Sequence, residues 1–504
     1  MGNPLFARKP LELLLEEMKG ENRLRRVLGP VTLTSLGVGA VIGTGIFILT
    51  GVAAVDRAGP GVILSFVMSG VACIFAALCY AEFASMAPVA GSAYTYAYAT
   101  LGELFAWIIG WDLVLEYAVG SSTVAHGWSA HFQDLLKSFG MPIPHAFASA
   151  PFDFDTATQR FFATGAYFDV AAIVITFVIT AVLVKGIRES AGFNAFMVAV
   201  KITIVFFVII VGAFYVNPAN WTPFAPFGYT GVSFFGHTLL GETGPGGAPI
   251  GILAGAAIIF FAYIGFDSVS THAEEARKPQ RDVPIGIIAS LIICTFLYVA
   301  VSTVLTGMIP YQKIDINAPV SNAFAQVGLP WAQRIIDVGA ITGITSVLLV
   351  MMLSQPRVLL AMARDGMVPT SFFGAVHPKF RTPYKATILT GFFVALMSAL
   401  LPLRFLAELT NIGTLLAFTI VCSAVLIMRR THPNAERPFR APLVPLVPIL
   451  GILSCLLLMF SLPVENWWRL IAWLIIGFVI YFSYSRRHSV MAKLRAQEKA
   501  RKTA

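Results

Sequence analysis

Residues 37–47 (GVGAVIGTGIF) constrain this chain most, because they place four glycines inside a long apolar run. Each interior glycine costs a helix about 1 kcal/mol relative to alanine, so a continuous helix is unfavourable here. In a lipid bilayer, a broken helix is tolerated only where its freed backbone N–H and C=O groups face protein or a polar cavity. The stretch therefore predicts a discontinuous membrane helix whose bare backbone forms half of a binding site.

A second interrupted apolar run, residues 260–268 (FFAYIGFDS), lies in the other half of the chain. Interrupted helices at corresponding places in two halves of a chain indicate the substrate site of a transporter. The composition agrees, because 57% of the 504 residues are hydrophobic and 12% are charged, whereas soluble proteins carry about 25% charged residues. We therefore expect a multi-pass membrane protein and not a soluble enzyme.

Twelve apolar runs are long enough to span a bilayer. They lie near residues 31–54, 62–86, 93–128, 168–185, 192–215, 250–275, 285–309, 331–363, 385–401, 404–428, 443–462 and 467–485. With the N-terminus inside, most of the 35 Lys and Arg residues fall on the cytoplasmic side, as the positive-inside rule requires. We expect a plasma-membrane protein with both termini in the cytoplasm, and we attribute the net charge of +9 to this topology and not to a nucleic-acid partner.

These runs divide the chain into five parts. Residues 1–29 mix leucines with charged residues and predict an amphipathic helix on the cytoplasmic membrane surface, with a disordered tail as the alternative. Residues 30–217 hold spans 1–5, residues 218–430 hold spans 6–10, residues 431–486 hold the last two spans, and residues 487–504 form a basic cytoplasmic tail.

Four motifs resemble the amino acid–polyamine–organocation superfamily, and within it the cationic amino acid transporters. They are residues 43–47 (GTGIF), 80–94 (YAEFASMAPVAGSAY), 274–284 (EEARKPQRDVP) and 364–369 (RDGMVP), and residues 110–117 (GWDLVLEY) resemble the cationic subfamily in particular. Vertebrate members of that subfamily have fourteen spans, so this chain resembles a bacterial homologue. The resemblance implies an all-α fold of the leucine-transporter type, with two inverted repeats of five helices and two peripheral helices.

The backbone at the first break suits the carboxylate of an amino acid. The positive end of a half-helix and its free N–H groups stabilise an anion. After Ile42 and Gly43, the N–H groups of Thr44 and Gly45 would supply this environment, with the Thr44 hydroxyl as a further donor. Helix packing between Gly39 and Gly43 is the alternative. A dinucleotide-binding fingerprint is rejected, because no soluble βαβ unit surrounds these glycines.

The substrate's ammonium group needs carbonyl acceptors. The resemblance implies that these are the backbone carbonyls of Val41, Phe261 and Ile264. Because its aromatic ring stands beside the second break, Phe261 is also a candidate lid over the substrate, with ordinary apolar packing as the alternative.

Lys201 lies inside the run 192–215 and has no acidic neighbour in sequence. At a rise of about 1.5 Å per residue from Gly192, it is near the middle of a hydrocarbon core about 30 Å thick. An intramembrane lysine is costly enough that a function is the default expectation, and a structural salt bridge is the alternative. Because desolvation favours the uncharged amine, Lys201 is a candidate proton carrier.

The resemblance adds a set of neighbours for this lysine. Lys201 matches the lysine that replaces sodium in proton-coupled homologues. The groups expected around it are the carbonyls of Gly39 and Ile42 and the hydroxyls of Thr345 and Ser346.

Two acidic residues lie inside or beside the spans. Glu116 is a buried carboxylate in span 3, and it would suit a cationic side chain on the substrate or pair with His126 or Lys201. Asp267 follows the second break and is interpreted as an N-cap of the next half-helix.

The remaining charged residues, the histidines and the cysteines do not predict a further binding site. Glu82, Arg364 and Asp365 are expected in ion pairs at the cytoplasmic helix ends. His126 and His131 are not spaced to share a helix face as metal ligands, and the five cysteines offer no zinc spacing. We expect no metal, no cofactor and no catalytic site.

These observations predict a proton-coupled amino acid importer that works by alternating access. Its substrates are expected to be cationic amino acids (arginine, lysine, ornithine), small neutral ones, or both. An exchanger of the same fold is the first alternative, and a nutrient sensor on a transporter scaffold is the second. The expected partners are the amino acid, the proton and the lipid bilayer, while a small membrane subunit and a homo-oligomer stay open.

Overall fold

The computed structural model describes residues 4–10, 28–86, 92–155, 160–186, 190–244 and 247–503. The predicted amphipathic helix falls largely on residues 11–27, and part of the second motif falls on residues 87–91, so both lie outside the described residues.

The described chain is mainly helical. Numbered in chain order, its α-helices are α1 (Pro30–Val41), α2 (Thr50–Ala53), α3 (Val62–Met86), α4 (Ser92–Thr100), α5 (Glu103–Ser138), α6 (Val170–Lys185), α7 (Ser190–Ala213), α8 (Ile252–Ile259), α9 (Ser268–Thr271), α10 (Pro279–Met308), α11 (Pro319–Gln326), α12 (Pro330–Arg364), α13 (Thr370–Phe373), α14 (Tyr384–Leu400), α15 (Leu403–Thr431), α16 (Leu446–Phe460), α17 (Val464–Ile480), α18 (Arg486–His488) and α19 (Val490–Thr503).

Eight helical segments within the described ranges are long and apolar enough to cross a membrane. They are Gly45–Met86, Glu103–Ser138, Ala195–Ala213, Ile252–Thr271, Pro279–Met308, Pro330–Arg364, Leu403–Thr431 and Val464–Gln497. Four shorter apolar helices accompany them, at Pro30–Val41, Val170–Lys185, Tyr384–Leu400 and Leu446–Phe460. The prediction of a helical multi-pass membrane protein is confirmed.

Within the described ranges, three short antiparallel strand pairs interrupt the all-α pattern, and they were not predicted from the sequence. They pair β1 (Phe152–Asp155) with β2 (Arg160–Ala163), β3 (Val232–Phe234) with β4 (His237–Leu240), and β5 (Glu242–Thr243) with β6 (Pro249–Ile250). All three lie in loops between helices, where phenylalanine and threonine favour extended backbone. They leave the helical core unchanged.

The predicted third span, residues 93–128, is two helices in the structure. α4 ends at Thr100 and α5 begins at Glu103, because Gly102 takes a φ of 105° between them. A Cβ at Gly102 would lie 2.6 Å from the backbone of Phe6, so the described N-terminal residues pack at this turn.

The interrupted helices lie at the centre of the molecule. α1 packs against α7, α10 and α12, while α5 packs against α12 and α15. The apolar window of the segment Ile252–Thr271 is entirely buried. Non-helical backbone at membrane depth is thus enclosed by protein, as its unpaired polar groups require.

Candidate functional site

The first helix break follows Val41, where α1 ends. Ile42 is extended (φ −73°, ψ 106°), and helical backbone resumes at Thr44, ahead of a π-helical turn at Gly45–Leu49. The N–H groups of Ile46 and Phe47 donate to the carbonyl of Gly43 at 3.2 and 3.3 Å. The first N–H groups of this half-helix have no intrahelical acceptor by geometry, and they lie at the break.

The Thr44 hydroxyl is a polar group that this break leaves unpaired. Its Oγ1 is buried and has no hydrogen-bond partner among the described residues. A buried hydroxyl without a hydrogen-bond partner costs free energy, so binding of a ligand that hydrogen-bonds to it is favoured.

The second break follows a 3₁₀ turn at Phe260–Tyr263. Ile264 is extended (φ −59°, ψ 136°), and Gly265 takes a φ of 117° before α9 begins. A Cβ at Gly265 would lie 2.8 Å from the carbonyl oxygen of Ala40. Glycine is therefore required both for the backbone conformation and for the close approach of the first broken helix.

The two breaks pack directly against each other. A Cβ at Gly45 would lie 2.3 Å from the Cα of Ala262. The Tyr298 hydroxyl on α10 lies 2.8 Å from the Val41 carbonyl oxygen and 2.9 Å from that of Ala262, so its single proton is shared between the two breaks. The sequence analysis missed Tyr298, although a tyrosine in an apolar span is a signal, because its hydroxyl needs a partner.

The three predicted carbonyl ligands lie at these breaks. The Val41 carbonyl accepts from Tyr298, and the Phe261 carbonyl accepts from the N–H of Ile264 at 3.2 Å. A carbonyl oxygen has two lone pairs, so each can accept a second hydrogen bond. The Phe261 side chain is buried beside the break.

Lys201 reaches the first break from α7. Its Nζ donates to the carbonyls of Gly39 at 2.7 Å and Ile42 at 2.8 Å, and its side chain is fully buried. The Ser346 hydroxyl donates to the same Gly39 carbonyl at 3.1 Å. No carboxylate lies within ion-pair distance of Nζ in the part of the chain that the structure describes.

The Thr345 hydroxyl has other partners. It accepts from Trp128 Nε1 at 2.9 Å and donates to the Ile341 carbonyl at 2.7 Å. Ser346 therefore shares the Gly39 carbonyl with Lys201, as predicted. Thr345 instead forms hydrogen bonds with α5 and with the backbone of its own helix, α12.

Glu116 belongs to a buried acidic group. Asp112, one turn earlier on α5, and Asp267 at the second break act on its carboxylate electrostatically, and neither carboxylate oxygen of Glu116 has a hydrogen-bond partner among the described residues. The alternative partner His126 instead lies 3.3 Å from the Ser398 carbonyl oxygen, and Lys201 binds the carbonyls named above. The structure does not bring either of them to Glu116.

Asp267 stands at the N-cap position of α9, but its side chain makes no cap hydrogen bond. Its Oδ2 instead accepts from the Tyr117 hydroxyl at 2.5 Å. The capping interpretation is therefore wrong, because the tertiary contact with α5 offers a stronger, charge-assisted partner.

Ion pairs lie at opposite ends of the helices around this region. At the terminal face, named here for the N-terminal and C-terminal segments that meet there, Lys9 pairs with Asp365 at 2.7 Å and Glu82 with Arg429 at 2.7 Å. At the opposite face, which the second half of the first broken helix reaches, Arg404 pairs with Asp56, and Arg57 lies near Glu408. No described group of His, Cys, Asp and Glu has the arrangement of a metal site.

Comparison with known proteins agrees with this arrangement. A family model described as amino acid permease matches residues 28–481. The chain is 47% identical to the branched-chain amino acid permease BcaP of Bacillus subtilis and 46% identical to its methylthioribose transporter, over 97% of this chain and 99% of each relative. It is 38% identical to the vacuolar cationic amino acid transporter 4 of Arabidopsis thaliana, over 86% of this chain and 68% of that protein.

These relatives are transporters, and the helices and buried breaks described above are those of a multi-pass membrane protein. The findings indicate a transporter and not an enzyme. The chain belongs to the amino acid permease family of the amino acid–polyamine–organocation superfamily, as a bacterial member related to the cationic amino acid transporters.

Proposed function

We propose that this protein imports amino acids into the cell together with protons, by alternating access. The observation that carries the proposal is the contact between the two helix breaks, with Tyr298 shared between them and the Lys201 ammonium bound to the carbonyls of the first. The unpaired Thr44 hydroxyl at the same place supports a ligand there.

The eight long and four shorter apolar segments would make twelve spans, the first of which consists of Pro30–Val41 and the beginning of the segment Gly45–Met86, while the rest of that segment is the second span. We propose that spans 1–5 and 6–10 form two inverted repeats, with two peripheral helices after them. Both termini would lie in the cytoplasm of a plasma-membrane protein, so the terminal face is the cytoplasmic one. The basic residues near both termini favour this orientation.

The proposed substrate pose uses the backbone of both breaks. The carboxylate would accept hydrogen bonds from the N–H groups of Thr44 and Gly45 and from the Thr44 hydroxyl. The ammonium group would donate to the carbonyls of Val41, Phe261 and Ile264. Tyr298 supports this pose because it holds the Val41 carbonyl at the second break before the substrate arrives.

Glu116 is proposed to set the choice of side chain. Its carboxylate is buried beside two other acidic residues, Asp112 and Asp267, and this concentration of acids favours a cation among them. A basic side chain on the substrate would supply that cation, and a proton would do so when the substrate is neutral. Cationic and neutral substrates are both compatible with the relatives, one of which is a branched-chain permease.

Lys201 is proposed to couple transport to the proton. As an ammonium group it donates to the carbonyls of Gly39 and Ile42 and thereby fastens α7 to the first break. As a neutral amine it has fewer protons to donate and binds these carbonyls more weakly. Release of its proton to the cytoplasm would loosen the first broken helix and open the terminal face.

The ion pairs at the two faces would act as gates. Both sets of ion pairs are formed in the structure, and we propose that each set closes its own face when it is formed. Alternating access requires that one set separates at a time.

A panel of radiolabelled amino acids with purified protein in liposomes tests the proposal. We expect uptake of at least one neutral or cationic amino acid that rises with an inward proton gradient and collapses with a protonophore. Uptake that depends only on amino acid inside the liposome, at every pH gradient, would indicate the exchanger instead. Absence of both binding and uptake across the panel would refute amino acid transport.

A further inference from the structure

A buried pair of titratable side chains, His131 and Asp337, joins α5 to α12 and lies apart from the proposed substrate contacts. His131 Nδ1 lies 2.9 Å from Asp337 Oδ1, and both side chains are fully buried. A buried carboxylate is tolerated when it is protonated or paired with a cation. The pair therefore favours one exchangeable proton, held as imidazolium and carboxylate or as imidazole and carboxylic acid.

Each member of the pair keeps an unused polar atom. His131 Nε2 and Asp337 Oδ2 are buried and have no hydrogen-bond partner among the described residues. A purely structural pair gains most when all of its polar atoms are satisfied, so two unsatisfied atoms point to a group that exchanges a partner or a proton.

The charged groups around the pair come from several elements. Asp134 on α5 interacts electrostatically with both His131 and Asp337, and Asp315, in the loop before α11, acts on Asp134. Asp134 also accepts from the Gln333 amide on α12 at 2.9 Å.

Phe47, in the half-helix after the first break, lies against the pair. Its ring meets the His131 ring edge-on, with the centroids 6.1 Å apart. It also approaches Gly343, where a Cβ would lie 3.8 Å from Phe47 Cε2 and 3.2 Å from the Cβ of Lys201. Asp337 and Gly343 are separated by about 9 Å along α12, at about 1.5 Å per residue, so Phe47 is near both the pair and the helix turn that contacts Lys201.

We propose that His131 and Asp337 form a second proton-binding site, whose proton affinity is linked to the position of Phe47. When the half-helix carrying Phe47 moves away, the pair exchanges its proton with solution at the face opposite the termini. When that half-helix closes over the substrate, the sealed pair retains its proton, because a bare buried carboxylate is unfavourable. Substrate binding therefore draws a proton from solution. This inference rests on the proposed amino acid transport.

The experiment measures proton uptake upon substrate binding. Purified protein in detergent and weak buffer is titrated with L-alanine, L-leucine or L-arginine at several values between about pH 5 and 8, where histidine changes charge. A pH electrode counts protons, and calorimetry measures binding in the same samples. For His131→Gln and Asp337→Asn we expect binding to persist, and proton uptake to fall by about one per protein at its maximum.

A control variant makes the result specific. Arg334→Ala removes another link between α12 and α5, an exposed hydrogen bond to the Ser138 carbonyl, and should keep the wild-type proton count. If His131→Gln does not fold, Asp337→Asn carries the test, since asparagine keeps a hydrogen-bond acceptor.

Wild-type protein that binds none of the probes contradicts the proposed function, whereas unchanged proton counts in both variants overturn this inference alone.

Discussion

At the residue scale, Tyr298 joins the two helix breaks that the sequence predicts and that form the proposed substrate site. Its hydroxyl lies within hydrogen-bond distance of one carbonyl from each break, and its ring packs against Tyr263 and Phe66, with ring centroids 5.4 Å apart in both cases. The ring contacts fix the position of the hydroxyl, and the hydroxyl fixes the two carbonyls. Tyr298 is thus a positioning residue for the proposed ammonium site.

Tyr298→Phe should weaken substrate binding. The change leaves the buried carbonyls of Val41 and Ala262 without this donor, at a cost of about 1–3 kcal/mol, and the dissociation constant should rise by about fivefold or more. Tyr263→Phe is the matched control, because Tyr263 adjoins the second break but its hydroxyl donates to the Phe66 carbonyl of α3 at 2.7 Å and not to a carbonyl of either break. Calorimetric titration measures both, and equal losses in the two variants would make Tyr298 a general packing residue.

Glu116→Gln should separate basic from neutral substrates. Removal of one partner of a buried charge pair costs about 3–5 kcal/mol, so arginine and lysine should lose far more affinity than alanine or leucine. Glu103→Gln, at the start of α5, is the control for a change of charge on the same helix, because its carboxylate accepts from the Tyr481 and Ser489 hydroxyls. Competition binding with unlabelled amino acids gives the ratio, and a uniform loss for all four would assign Glu116 a structural role.

At the element scale, the two interrupted helices act as one unit. Their positions could be predicted from sequence, because glycine at 37–47 and the run FFAYIGFDS oppose continuous helix. Their mutual contact could not, since the approach of Gly45 to Ala262 depends on which helices are neighbours. For the same reason, the hydrogen bonds from Trp128 to Thr345 and from Tyr117 to Asp267 could not be predicted.

Gly45→Ala should abolish binding and lower thermal stability. The added Cβ would lie 2.3 Å from the Cα of Ala262, so the two half-helices must separate and the shared site is lost. Gly29→Ala serves as control, because its Cβ would meet nothing within 4 Å. Thermal unfolding with and without substrate measures both effects. Wild-type binding by Gly45→Ala would show that the breaks do not form the site.

At the scale of the whole molecule, a helical membrane protein followed from composition and from the length of the apolar runs. The strand pairs in the loops could not be predicted, because short segments carry weak periodicity. The division of the third predicted span could not be predicted either, because the turn at Gly102 depends on the N-terminal residues that pack against it. Ion pairs at each face also join residues far apart in sequence, such as Lys9 and Asp365, and no local pattern predicts such partners.

Lys9→Ala should favour opening of the terminal face. It removes a buried ion pair, while the Tyr94 hydroxyl still donates to Asp365 at 2.9 Å, at a cost of about 3–5 kcal/mol to the closed state. A cysteine introduced at Ser35, near the start of α1, should then react faster with a polar maleimide. Lys313→Ala, at an exposed lysine, is the control. Equal labelling rates in the two variants would show that the Lys9–Asp365 pair does not hold this face closed.

If Lys201 couples the proposed substrate site to the proton, its loss should abolish proton-driven accumulation in proteoliposomes. Lys201→Met retains an unbranched apolar stem without the ammonium group that binds Gly39 and Ile42. With an inward proton gradient, wild-type protein should concentrate its amino acid above the external level, and a protonophore should abolish this. The variant should still bind substrate but only equilibrate it. Accumulation by Lys201→Met equal to that of wild type, and equally sensitive to the protonophore, would contradict the account.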